Sequence, residues 1–169
     1  SNNIFGGDQK PNLFNDANIA INIGGTNNTI QYNYFGTDTT GAVLGNKQPL
    51  GINGNYIGIG TTVNSSNISI HHNIFSGYQF GVVGNGFGTI RNNYFGTDTS
   101  NTAALNLEIG LAVQNNGSYE INQNIFANCS LWAINFNSNA TIGQNKVIKN
   151  IIRDNGSGIE LETSNGNLF

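Results

Sequence analysis

The chain is short of charge. Only 9% of its 169 residues are Asp, Glu, Lys or Arg, against roughly 25% in an ordinary soluble domain. Its six Lys and Arg form no cluster, so the footprint that neutralises nucleic-acid phosphates is missing and no nucleic-acid partner is expected. A single cysteine, Cys129, rules out an intrachain disulfide and argues against a cysteine-based zinc site. No apolar run approaches the ~18 residues that cross a membrane as a helix, so no membrane span is expected. Sustained i, i+3, i+4, i+7 spacing is absent, and with it any helix of consequence. Methionine is absent altogether, which leads us to expect a processed mature chain or a segment of a longer one.

Asparagine takes the place of charge, at 33 of 169 residues. The apolar share is 37%, and the 23 glycines bring it to the usual apolar-plus-glycine level. The composition is therefore not that of a disordered segment, and the length suits one domain over residues 1–169.

The sequence repeats itself. Asn33-Tyr34-Phe35-Gly36-Thr37-Asp38-Thr39 recurs letter for letter at Asn93-Tyr94-Phe95-Gly96-Thr97-Asp98-Thr99. A looser unit has a β-branched residue, two mostly polar positions, Asn, then two apolar residues. It ends in Asn33-Tyr34-Phe35, Asn73-Ile74-Phe75, Asn93-Tyr94-Phe95, Asn124-Ile125-Phe126 and Asn150-Ile151-Ile152. Between these units lie second alternating runs, at Ile19–Ile23, Ile57–Ile59, Phe80–Val82, Leu111–Val113, Ala133–Phe136 and Ile159–Leu161. Such short runs, bounded by Gly, Asn and Ser, read as strands.

Two or three short strands in a bare repeat of about 20 residues predict an all-β, right-handed parallel β-helix of about six rungs. In that stack each residue sits over its equivalent at the ~4.8 Å strand spacing. Stacked like charges repel, whereas stacked amides donate and accept along a ladder. Asn and Gly also tolerate left-handed turns. The predicted ladder is Asn33, Asn73, Asn93, Asn124 and Asn150, with Gly-Thr-Asp loops inserted between strands.

The run from Asn33 through Thr40-Gly41-Ala42-Val43-Leu44-Gly45-Asn46, and Ile142-Gly143-Gln144-Asn145-Lys146-Val147-Ile148, resemble the right-handed parallel β-helix repeats of large bacterial secreted and cell-surface proteins. These belong to the pectin-lyase-like fold group. The resemblance implies the fold and an extracellular or cell-surface setting. It implies no single activity, because the group includes lyases, hydrolases, epimerases, tailspikes and adhesins.

Asp38 and Asp98, two rungs apart on one edge, are the weak candidates for carbohydrate chemistry or ion binding. Inverting glycosidases hold two carboxylates ~6.5–9.5 Å apart, but an identical motif used twice fits two Asx-turns better. No cluster of acids suits calcium, and no cation cluster suits a polysaccharide lyase. His71 and His72 are adjacent on a strand, so they are expected on opposite faces and unable to share a metal. Cys129 reads as a small apolar filler. The threonines cluster in insertions instead of forming the column that ice binding needs. No catalytic residue, metal or cofactor is expected.

Period two places Tyr34, Ile74, Tyr94, Ile125 and Ile151 outside the coil as a possible surface contact. The insertion residues Ala42-Val43-Leu44 and Ala103-Ala104-Leu105 are expected to cover part of this stripe. Ser1 to Gly7 and Ser164 to Phe169 read as repeat sequence without caps. The sequence therefore suggests a non-catalytic extracellular structural or adhesive module whose copies stack end to end as a fibre. A carbohydrate-binding or carbohydrate-active β-helix, with polysaccharide as partner, is the alternative.

Overall fold

The computed structural model describes residues 1–7, 10–44, 56–137 and 145–162. Gly45, Asn46 and residues 142–144 and 164–169, singled out above, lie outside the described residues. Among the described residues eighteen short strands form three parallel six-stranded sheets. The first sheet holds Ile4–Phe5, Thr29–Gln31, Ile68–His71, Phe87–Arg91, Ser118–Asn122 and Lys146–Ile148. The second holds Leu13–Phe14, Tyr34–Phe35, Ile74–Phe75, Tyr94–Phe95, Ile125–Ala127 and Ile151–Arg153. The third holds Ile19–Ile23, Ile57–Thr61, Phe80–Gly84, Leu107–Val113, Cys129–Phe136 and Ser157–Leu161. The chain visits the three sheets in turn six times, so each circuit is a rung and the molecule is a parallel β-helix of six rungs.

Left-handed residues make the corners. Between the first and second sheets sit Tyr32, His72, Asn92, Gln123 and Lys149, with φ from 53° to 57°. Each immediately precedes a ladder asparagine. In rung 1 the equivalent residue is Pro11, whose ring forbids positive φ. Between the second and third sheets the turn falls on Asp16, Gly36, Gly77, Gly96, Asn128 and Asp154. Gly36 and Gly96 cannot be replaced without cost. A Cβ there would lie 1.9 Å from the Ser76 carbonyl oxygen and 2.0 Å from that of Ala127.

The asparagines stack at the first corner. Asn33 Nδ2 donates to Asn73 Oδ1 at 3.0 Å, and the pattern continues through Asn93 and Asn124 to Asn150 at 3.0 Å per step. Each accepting Oδ1 also takes the backbone N–H of the asparagine one rung before it, as with Asn73 N–H onto Asn93 Oδ1 at 3.0 Å. The Nδ2 groups also donate to carbonyls, Asn93 to Ile70 and Arg91 at 3.0 Å each. Asp would lack the donors and Leu both functions. Asn12 adds a rung-1 member, donating to Asn33 Oδ1 at 2.9 Å.

The core is built of columns. Phe14, Phe35, Phe75, Phe95 and Phe126 stack nearly parallel, with centroids 4.5 to 5.0 Å apart. Facing them in the third sheet are Gly58, Gly81 and Gly110, which lie between the same flanking register pairs in successive rungs. A Cβ on Gly81 would lie 2.6 Å from the Gly110 carbonyl oxygen and 2.8 Å from the Phe95 ring. The flat rings thus require a strand with no side chain against them. Elsewhere Gly84 leaves room for the buried Tyr119 ring. Its hydroxyl lies 2.7 Å from Thr61 Oγ1 and accepts the Gly86 N–H at 3.1 Å.

Candidate functional site

Both Gly-Thr-Asp loops spend their carboxylates on themselves. Asp38 Oδ1 accepts from the Thr40 hydroxyl at 2.6 Å, the Thr40 N–H at 3.1 Å and the Val43 N–H at 3.4 Å. The Thr40 hydroxyl leads in holding its pKa below the usual carboxylate value. Asp98 accepts from the Ser100 hydroxyl at 2.5 Å and the Thr102 and Ala103 N–H groups at 2.9 and 3.0 Å. Burial opposes its ionisation, but Ser100 and these amides outweigh it and bring the carboxyl to about 2. A glycosidase acid needs a raised pKa. Two carboxylates held ionised by their own loops are turn-formers.

Other chemistry is equally sparse. Cys129 is buried, and burial pushes its thiol up to about 12, the reverse of an activated nucleophile. Among the described residues no three His, Cys, Asp or Glu side chains come together at metal-binding distance.

The histidines depart from the sequence expectation. His71 ends its strand, but His72 has φ 57° and has left it. Strand alternation therefore stops one residue early, and the two rings meet instead of pointing apart. Their Nδ1 atoms are 2.8 Å apart and the rings are nearly perpendicular, at 87°. His72 also stacks on Tyr32, one rung below, at 4.9 Å and 14°. Burial, then the charge of Arg91, lowers both histidines, His71 to about 4. At neutral pH one Nδ1–H donates to the other, uncharged ring.

The Tyr32–His72 stack forms one wall of a trough of about 170 Å³. Its floor is the outward column of the second sheet, Tyr34, Ile74 and Tyr94, which are register partners in successive rungs. Thr99, in the second Gly-Thr-Asp loop, and Pro11, in rung 1, complete the lining. Along the column Tyr34, Tyr94 and Ile125 are half-buried, Ile74 is buried and Ile151 is exposed.

In the first loop the covering of this column differs from expectation. Ala42, Val43 and Leu44 are exposed. The loop closes on itself through Asp38 N–H to the Val43 carbonyl at 2.8 Å and a Thr37–Leu44 bridge. Its turn residue Gly41 meets the column instead, where a Cβ would come within 2.7 Å of Ile74 Cδ1 and 3.1 Å of the Tyr34 ring. In the second loop Leu105 is buried while Ala104 is exposed. That loop is tied to rung 6 by Arg153 Nη2, which donates to the carbonyl and Oδ1 of Asn101 at 2.7 and 2.6 Å.

Period two identifies the floor but not the wall. The signal for the wall was the residue before each ladder asparagine, which reads Tyr32, His72, Asn92, Gln123, Lys149. Comparison with protein-family models, curated proteins and solved structures gives no match to this chain.

Proposed function

We propose that this chain is a non-catalytic, extracellular binding module and that the trough along the second sheet receives a carbohydrate. The trough itself carries the reading. Three tyrosines and a histidine present ring surface with polar tips, the combination that packs against sugar C–H groups while bonding hydroxyls. At about 170 Å³ it is smaller than the ~300–1,000 Å³ of drug-sized pockets, which suits one sugar ring of a longer chain. The self-satisfied Asp38 and Asp98 favour binding without turnover. The extracellular setting rests on the likeness of the repeats to those of secreted proteins.

The test is titration of the chain with neutral and uronate oligosaccharides, followed by tyrosine fluorescence and by assay of product. The expected result is saturable binding that perturbs tyrosine, with the saccharide recovered intact. Turnover, or no response to any saccharide, would overturn the reading.

A second reading, end-to-end association as an adhesive or structural fibre, is favoured by one observation. Ile159 and Leu161 in rung 6 are 39% and 48% exposed, whereas their rung-5 partners Ile134 and Phe136 are fully buried. A rung stacked on these residues would cover them, and a second copy could supply one. Sedimentation over a wide concentration range, with electron microscopy, tests this; a monomer throughout would sink it.

A further inference from the structure

We propose that rung 1 of one copy seats on rung 6 of a second copy, head to tail, so that the asparagine ladder continues through the junction. The inference rests on the end-to-end reading and specifies its polarity and contacts.

The ladder has a direction, and that direction supplies the first argument. At each step the backbone N–H and Nδ2 of one asparagine donate to Oδ1 of the asparagine in the next rung, from Asn33 onto Asn73 through to Asn124 onto Asn150. The other corners keep the same sense. Asn3 donates to Asn28 Oδ1 between rungs 1 and 2, and the Cys129 N–H donates to Asn155 Oδ1 between rungs 5 and 6. Rung 1 therefore presents acceptors. Asn12 gives its Nδ2 to Asn33, but its Oδ1 receives no donor among the described residues. Rung 6 presents donors. Asn150 Nδ2 bonds the Ile121 and Ile148 carbonyls, yet among the described residues no Oδ1 meets it or the Asn150 N–H. Rung 1 on rung 6 brings Asn12 Oδ1 to those donors. Two rung-1 faces would meet acceptor to acceptor, and two rung-6 faces donor to donor.

The second sheet supplies the second argument. Leu13 pairs with Tyr34 and Ile151 with Ile125, so they are the outermost members of one outward column. They are 42% and 50% exposed, and the junction sets one on the other, out of water. Phe14 and Ile152, the half-buried outermost members of the inward column, meet in the same register. Charge opposes the contact mildly. The junction brings Lys149 near Lys10 and Asp154 over Asp16, all four exposed, and salt screens such pairs.

The test uses the full chain with two single variants, Leu13→Cys and Ile151→Cys, mixed and separate, under mild oxidation. Stacked strands stand ~4.8 Å apart, within the ~4.4–6.8 Å that a disulfide spans between Cα atoms, and the native Cys129 is buried. The mixture should give a cross-linked dimer, whereas each variant alone should give none. Sedimentation of the parent should show association that strengthens as salt rises. Asn12→Leu, at an exposed position, should weaken that association about tenfold through the lost junction hydrogen bonds. Dimers from either cysteine variant alone, association without a cross-link in the mixture, or Asn12→Leu associating like the parent overturns this inference and leaves end-to-end association standing. A monomer at every concentration and salt overturns both.

Discussion

A ladder asparagine has one side chain and five obligations. Asn93 donates to Ile70, Arg91 and Asn124 and accepts both the N–H and Nδ2 of Asn73. Asn93→Leu strands the Asn73 N–H in a buried site, and each orphaned buried group costs about 1–3 kcal/mol. Denaturant unfolding should show a loss of about 3 kcal/mol or more. Asn22→Leu, at an exposed position, should stay within about 0.5 kcal/mol. His71 makes a different prediction, about pH. Its folded pKa of about 4 lies below the ordinary 6.5, so the unfolded chain binds the proton first. Stability is therefore complete above about 6.5, falls as pH drops, and stops falling through this group near 4. Asp98, lowered to about 2 from 3.8, extends the acid loss below 3.8. His71→Gln, which copies the register partner Gln31, should make the limb between 6.5 and 4 shallower, leaving the share that His72, also lowered by burial and Arg91, contributes, and should leave the lower limb unchanged. An unchanged profile would show that His71 titrates as it does in the unfolded chain.

At the scale of elements, the phenylalanine stack and the glycine strand facing it are one device. Gly81→Ala drives a methyl into the Phe95 ring and the Gly110 carbonyl, an overpacking cost of about 1–3 kcal/mol. Phe95→Ile, which copies Ile152 at the same position in rung 6, leaves a gap where the ring was. Together the two changes should fit better than either alone. A thermal or urea cycle should give a double variant more stable than the sum of the singles by about 1 kcal/mol. Simple additivity would show that the carbonyl clash, and not the ring, forbids a side chain at Gly81.

On the scale of the whole molecule, each rung pairs only with its neighbours in all three sheets. Stability in such a stack is a sum of rung and interface terms. The inner rungs hold the fully buried columns, whereas Ile4, Leu13 and Ile19 in rung 1 and Ile148, Ile151 and Leu161 in rung 6 are exposed. Hydrogen exchange should accordingly find the slowest amides in the strands Ile68–His71 and Phe87–Arg91 and faster ones in Lys146–Ile148. Equal protection throughout would mean that the stack opens as one unit. Arg153, bound to Asn101 across two rungs, is one of the side chains that reach beyond the neighbouring rung, as Tyr119 does to Thr61 and Tyr78 to Phe14, and its replacement by Ala should speed exchange in the loop after Gly96.

The sequence by itself determined the rungs. Asn33, Asn73, Asn93, Asn124 and Asn150 recur because a stack places each residue over its equivalent, and a constraint repeated rung by rung leaves a repeating pattern. Asn12 escaped that pattern because Gln9 stands where the other units have a β-branched residue. Tyr34, Ile74 and Tyr94 were legible as an outward column for the same reason. Tertiary structure alone decided what that column faces. His71 meets His72 because a left-handed residue ends strand alternation at the corner, and Tyr32 reaches His72 only once residues 40 apart are stacked. Gly41, and not its apolar neighbours, meets Ile74 because the loop first closes on its own Asp38. These contacts join positions distant in the chain through turn angles, and neither composition nor spacing encodes a turn angle that Tyr, His, Asn, Gln and Lys all adopt.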